Sequence, residues 1–192
     1  MVLWLAVVAG VGLGLARGGR LGNLAALRLR HAWVVPPALA AHLLQIFAPP
    51  VPPEHGPEPL RLWLPVTLVA LTWFVLANRR LPGMRLVLVG LAANALVILA
   101  NGGLMPTNEA ALLGAGMTSS VELARAHPGI RLPNSKDVLL PVEQTPLWWL
   151  SDTLVSPPVP RRKVMSAGDL LVAAGVVAVV CQATGRPAAP AA

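Results

Sequence analysis

Asn101-Gly102-Gly103-Leu104-Met105-Pro106-Thr107 is where the chain changes character. Before it, the apolar run Leu86 to Ala100 comes to an end. After it, a polar stretch broken by prolines begins and continues until a last apolar run opens at Leu170. Gly102 and Gly103 permit positive backbone torsions, which suits a helix stop. The stretch is therefore expected to be the hinge between a membrane part and a part that faces water.

Composition places the chain in the membrane class. Of its 192 residues, 55% are hydrophobic and only 12% charged, against about 25% charged in soluble domains. The mean hydropathy is +0.66, a value of membrane proteins. A net charge of +7 suggests nucleic-acid binding, but the basic residues are scattered between apolar runs and build no basic face. No nucleic acid is therefore expected as a partner. Cys181, the single cysteine, has no second thiol for an intramolecular disulfide or a shared metal. No cofactor and no metal site are expected.

Upstream of the hinge, four apolar runs read as spans: Met1 to Ala16, Ala32 to Ala48, Leu60 to Ala77 and Leu86 to Asn101. Each is somewhat shorter than the roughly 20 residues a spanning helix needs, a shortfall that snorkelling arginines and local thinning can cover. The first run carries its positive charge after the apolar core, unlike a secretory signal, and reads as an uncleaved span. Gly10, Gly14 and Gly18 recur at intervals of four, a small-residue stripe for close helix packing. The basic connection from Gly18 to His31 is expected to form a short helix on the membrane surface. Arg17, Arg20, Arg28 and Arg30 would there reach anionic lipid headgroups.

Arginines also set the orientation. Arg17, Arg20, Arg28, Arg30, Arg79, Arg80 and Arg85 fall in the first and third connections, whereas Glu54 and Glu58 fall in the second. By the positive-inside rule the first and third connections are cytoplasmic. The N-terminus, the proline loop and the segment after Asn101 are then outside.

Downstream, Asn108 to Ala126 reads as a helix capped at Thr107 or Asn108 and weakened by Gly114 and Gly116. Trp148 and Trp149 suggest an interfacial anchor. Ser166-Ala167-Gly168-Asp169 is a capping pattern before the final span, Leu170 to about Ala183. Five spans leave Arg161, Arg162 and Lys163 outside, against the charge rule. The alternative is that Val138 to Val155 crosses as a broken sixth span. The expected fold is an all-α, polytopic membrane helix bundle of about five transmembrane helices with an outer cap of short helices and turns. Its parts are a four-span core (1–105), a cap or re-entrant segment (106–165), a last helix (166–185) and a disordered tail (186–192).

Several polar residues are expected to meet at the outer face: Gln45 ending span two, Asn101 ending span four, Asp169 opening span five, and Asp152 just before it. His42 shares a helix face with Gln45, and Asn94 a face with Asn101. Polar groups at this depth are costly and turn inward. Asn101, Gly102, Gly103, Gln45, His42 and Asn94 are accordingly the candidate binding residues. Each also has a purely structural reading, as interhelical glue or helix stop. Two close carboxylates can share a proton and activate water, so Asp152 and Asp169 are the candidate catalytic pair. That layout is similar to the lipoprotein signal peptidases, small membrane aspartyl proteases, although their fuller motifs are not found around Asp152.

Four stretches carry a broader resemblance: Gly18-Gly19-Arg20-Leu21-Gly22-Asn23-Leu24, Asn101 to Pro106, Leu150-Ser151-Asp152 with its following prolines, and Ser166 to Asp169. Together they resemble a family of bacterial membrane proteins catalogued as domain of unknown function 5317. Ser151 departs from the glycine expected there. The resemblance implies a bacterial inner-membrane protein and assigns no activity. The function expected first is a non-enzymatic scaffold or sensor binding a partner, lipid or small ligand at its outer face. A membrane-surface hydrolase using Asp152 and Asp169, and a small transporter, are the alternatives.

Overall fold

A computed structural model describes residues 2–56, 58, 61–158 and 161–185. Leu60, the tail 186–192 and the side chain of Gln45 lie outside the described residues. The apolar runs become five long helices: α1 (Val2–Ala16), α2 (Val35–Phe47), α3 (Trp63–Ala77), α4 (Met84–Ala100) and, at the far end of the chain, α7 (Ala167–Gly185). Between α4 and α7 lies a mixed cap. It comprises β1 (Met105–Thr107), α5 (Glu109–Gly114), α6 (Thr118–Ala126), β2 (Asp137–Leu139), β3 (Leu154–Val155) and β4 (Val164–Met165). The molecule is mostly helical, and the short strands are an addition to the all-α expectation. Among the described residues α7 is long and apolar enough to cross a membrane, while the other four bundle helices are shorter apolar ones.

The bundle helices pack in the order α1, α7, α4, α3, α2, so the helix latest in sequence sits between the first and the fourth. Small residues decide this packing. A methyl group added at Gly90 would stand 2.5 Å from the Gly168 carbonyl oxygen, and one at Gly175 would stand 2.5 Å from Val87. Gly83 faces the Gly175 carbonyl in the same way. Gly83, just before α4, and Gly90 within it thus meet 175 and 168 of α7, which makes the pair antiparallel. On the other flank Gly10 meets Val177 and Val180, and Gly14 meets Cys181 and Thr184, so α1 and α7 run parallel. Close backbone approach maximises dispersion contacts where apolar surroundings remove the hydrophobic drive. Leu64, Phe74, Val87, Val97 and Ile98 fill the bundle core. Outward faces are apolar as well: Trp4, Trp33, Leu44 and Phe47 are each at least 70% exposed.

The end of the bundle away from the cap is tied by backbone and amide contacts. Asn78 Nδ2 donates to the Arg30 carbonyl, and Arg30 N donates back to Asn78 Oδ1 (both 2.9 Å). Arg20 N and Asn23 Nδ2 both donate to the Thr184 carbonyl. Residues Leu21–Ala26 form a short 3-10 helix without a buried residue, within the connection expected to be helical, and it packs on α7.

At the opposite end the hinge becomes a strand. Gly102 and Gly103 take φ of +73° and +90°, and the chain turns straight into β1. β1 pairs in parallel with β2, Met105 opposite Asp137 and Thr107 opposite Leu139. On its other side the Pro106 carbonyl accepts from Asp152 N (2.9 Å), and Thr107 Oγ1 donates to the Asp152 carbonyl (2.7 Å). Proline is tolerated here because the ladder bonds use the amides of residues 105 and 140. Residues 138–155 form short strands and 3-10 turns, with no long helix among them. The expected helix over 108–126 is two helices, interrupted at Gly116, where φ is +75°. Its cap is Asn108, whose Oδ1 accepts from Ala111 N (2.8 Å). Leu112, Val121, Ile130 and Leu132 form a small second core beneath.

Two arginines fasten the cap to the bundle. Arg131 is fully buried and donates to Glu58 Oε2 (3.3 Å), the Ser135 carbonyl (2.8 Å) and the Ala48 carbonyl (2.5 Å). Arg61 reaches the carbonyls of Gly102 (3.4 Å) and Gly129 (3.0 Å).

Candidate functional site

Pairing β1 with both β2 and Asp152 brings three distant pieces of chain together. Lys136 precedes β2, Asp137 begins it, and Asp152 is held on the other edge of β1. Lys136 Nζ consequently lies 2.6 Å from Asp152 Oδ2 and 3.2 Å from Asp137 Oδ1. The second Asp137 oxygen accepts from Ser135 Oγ (2.6 Å). Asp152 Oδ1 is buried and has no hydrogen-bond partner.

The electrostatics follow from this crowding. Burial works against the Lys136 ammonium, but Asp137, Asp152 and Asp169 outweigh it and hold the lysine well above its usual range. Burial pushes the Asp152 carboxyl up. Lys136 opposes that shift, Asp137 and Asp169 add to it, and the result is well above the usual carboxylate range. One lysine thus faces three acids.

Asp169 belongs to the adjoining network at the start of α7. Ser166 Oγ accepts from Asp169 N (3.0 Å) and Asp169 Oδ2 accepts from Ser166 N (3.4 Å), the reciprocal cap read from the sequence. Asn94 ties this cap to α4. Its Nδ2 donates to Asp169 Oδ1 and its Oδ1 accepts from Ser166 Oγ, both at 2.8 Å. Ser166 and Asn94 are buried.

Lys136, Asp137, Asp152 and Asp169 line a cavity of about 1150 Å³ between the cap and the helices α1, α2 and α7, somewhat larger than the usual small-molecule site. Lys136, Asp137, Asp152 and Asp169 form its floor. Leu3, Ile46 and Val172 supply an apolar side, and Arg161, Arg162 and Lys163 a basic rim. His42 reaches it from α2.

Of the residues singled out from sequence, the structure brings Asp152, Asp169 and His42 to this cavity and sets Asn94 directly behind Asp169. The two aspartates share the cavity without a hydrogen bond between them: Asp152 is held by Lys136, Asp169 by Asn94 and Ser166. Asn101, Gly102 and Gly103 are not among its lining residues. Asn101 Nδ2 donates to the carbonyls of Val97 and Pro146, Gly102 O accepts from Arg61, and Gly103 lies against the Arg61 backbone. Their part is to bend the chain into β1. Sequence reading missed Lys136 and Asp137; their adjacency, with lysine used at only two positions in the chain, was the available signal. No group of three or more His, Cys, Asp or Glu suited to a metal occurs among the described residues.

The fold and the cavity define a class: a mostly helical bundle with a helix able to cross a membrane, closed at one end by a mixed cap over a charged pocket. Residues 26–181 match the model of a family described as "Family of unknown function (DUF5317)". The chain belongs to that family, as the motifs around Asn101, Asp152 and Asp169 suggested. No curated protein and no solved structure matches it.

Proposed function

We propose that the protein is a five-span protein of the bacterial cytoplasmic membrane, with its N-terminus and cap outside, that binds a membrane amphiphile in the cap cavity without catalysing a reaction. The cavity carries this reading. It joins an apolar side supplied by bundle helices to a polar floor and a basic rim supplied by the cap. A ligand that fits must be apolar at one end and charged at the other. The topology is supported by the parallel α1–α7 pair and the antiparallel α4–α7 pair, which suit an odd number of crossings. It is further supported by the apolar outward faces of the helices. Arg17, Arg20, Arg28 and Arg30 lie toward the end away from the cap, where they would meet anionic headgroups.

The experiment is a thermal-shift titration of detergent-purified protein with long-chain phospholipids. The expected result is a saturable rise in Tm that Ala173→Trp, a cavity-filling change, abolishes while the lipid-free Tm stays near that of the parent. A rise that is equal in parent and variant would reject the cavity as the site.

A second reading has one observation in its favour. Asp152 combines a raised pKa with an unpartnered oxygen at a cavity, as a general acid of a membrane-surface hydrolase would. Release of product from a lipid or lipopeptide substrate, lost in Asp152→Asn, would establish it.

A further inference from the structure

The cavity sorts its charges by sign. The acids among its lining residues, Asp137, Asp152 and Asp169, are all on the floor, where they face the single cation Lys136. The rim carries Arg161, Arg162 and Lys163, all exposed. Such a field is complementary to a dipolar ligand, with its cation down and its anion at the mouth.

Asp152 Oδ1 makes the floor specific. The Asp152 side chain is 2% exposed, its other oxygen is taken by Lys136, and this one accepts from nothing. A buried acceptor without a donor is unfavourable, so a ligand that brings an N–H or O–H gains by satisfying it. The excess of acid over lysine favours a cationic donor over a neutral hydroxyl. A metal ion is disfavoured, because the described residues offer no three-residue ligand group. At the rim, guanidinium groups suit the geometry of a phosphate. The apolar side formed by Leu3, Ile46 and Val172 suits acyl chains.

Resting on the amphiphile reading above, we infer that the cavity takes a phospholipid headgroup that joins a phosphate to a primary ammonium. The phosphate lies at Arg161, Arg162 and Lys163. The ammonium donates to Asp152 Oδ1, and the acyl chains run along Leu3, Ile46 and Val172.

The test uses the full chain in detergent and dissociation constants from thermal-shift titration. The probes are phosphatidylethanolamine, phosphatidylcholine, phosphatidylglycerol, diacylglycerol and water-soluble glycerophosphoethanolamine. Phosphatidylcholine keeps the phosphate and the positive charge but has no N–H, so it is expected to bind about tenfold or more weakly than phosphatidylethanolamine, the loss of one charge-assisted hydrogen bond. Asp152→Asn is expected to erase that preference by weakening phosphatidylethanolamine alone. Arg161→Ala/Arg162→Ala/Lys163→Ala, all at exposed positions, is expected to weaken both lipids alike. Soluble glycerophosphoethanolamine matching the lipid would show a free headgroup ligand and overturn the amphiphile. Equal binding of phosphatidylcholine, or a preference that survives Asp152→Asn, would overturn the ammonium assignment. Tighter binding of phosphatidylglycerol or diacylglycerol, sensitive to Ala173→Trp, would reject this headgroup and leave the cavity reading standing. No binding sensitive to Ala173→Trp would reject the cavity reading itself.

Discussion

Lys136 Nζ and Asp152 Oδ2 stand 2.6 Å apart, joined across a strand to which neither residue belongs. β1 holds both, one by its ladder to β2 and the other by the Pro106 carbonyl. Removing the lysine strands three acids. Lys136→Met is expected to lower stability by about 3–5 kcal/mol at neutral pH, the cost of breaking a buried pair. The sign with pH is fixed. Without the lysine, which holds it down, the folded-state pKa of Asp152 rises further, and a raised carboxyl contributes stability that is present at low pH and lost as pH rises. The Tm gap between parent and variant should therefore narrow from pH 8 to pH 5. A gap that widens on acidification would contradict the charge assignment.

Ser166 holds the start of α7 and, through Asn94, the neighbouring helix. Ser166→Ala is expected to cost about 1–2 kcal/mol as a lost N-cap. Asn94→Leu should cost at least as much, because it removes the acceptor of the Ser166 hydroxyl and the donor to Asp169 Oδ1. Denaturation in mixed micelles measures both. The double variant should be less than additive, since the residues belong to one network.

Gly168 and Gly12 both lie in helices but in opposite surroundings. A methyl group at Gly168 would collide with Asn94 and the Gly90 carbonyl, whereas one at Gly12 meets nothing within 4 Å. Gly168→Ala is expected to destabilise by about 1–3 kcal/mol or more through overpacking. Gly12→Ala should be neutral or stabilise by about 0.5–1 kcal/mol, because the helix interior no longer contains a glycine. Paired Tm measurements compare the two directly.

Sidedness is read by labelling single cysteines in a Cys181→Ala background. Cysteine at Arg162 is expected to react with an impermeant maleimide from outside the cell. Cysteine at Arg79 should react only after the membrane is opened. Reversal of the two would exclude the proposed orientation.

The long helices were legible because each is a run of apolar residues, a signal that needs no knowledge of partners. The caps at Asn108 and Ser166 were legible for a similar reason: each bond spans three residues. The β1–β2 ladder was not. Its strands have three residues each and pair across about thirty positions, so no periodicity announces them. Lys136 was hidden by the same distance. Alone in a polar stretch it reads as a solvated charge, and its meaning comes from Asp152, sixteen residues on. Arg131 escaped notice likewise, since its partners at Ala48 and Glu58 lie more than seventy residues away. The glycines at 102 and 103 drew attention as a site because their role, to aim β1 at those partners, depends on contacts that lie elsewhere in the sequence.

The placement of α7 between α1 and α4 bears on how the protein is made. As the chain emerges, the first four helices enter their surroundings with the glycine faces of α1 and α4 still bare. The segment they await comes only after the whole cap, and Gly10 meets Val180 across 170 positions. Assembly must therefore keep a slot open until α7 arrives. The interval before its arrival is when the immature protein is most open to capture by a neighbouring copy or by the machinery that clears unfinished chains.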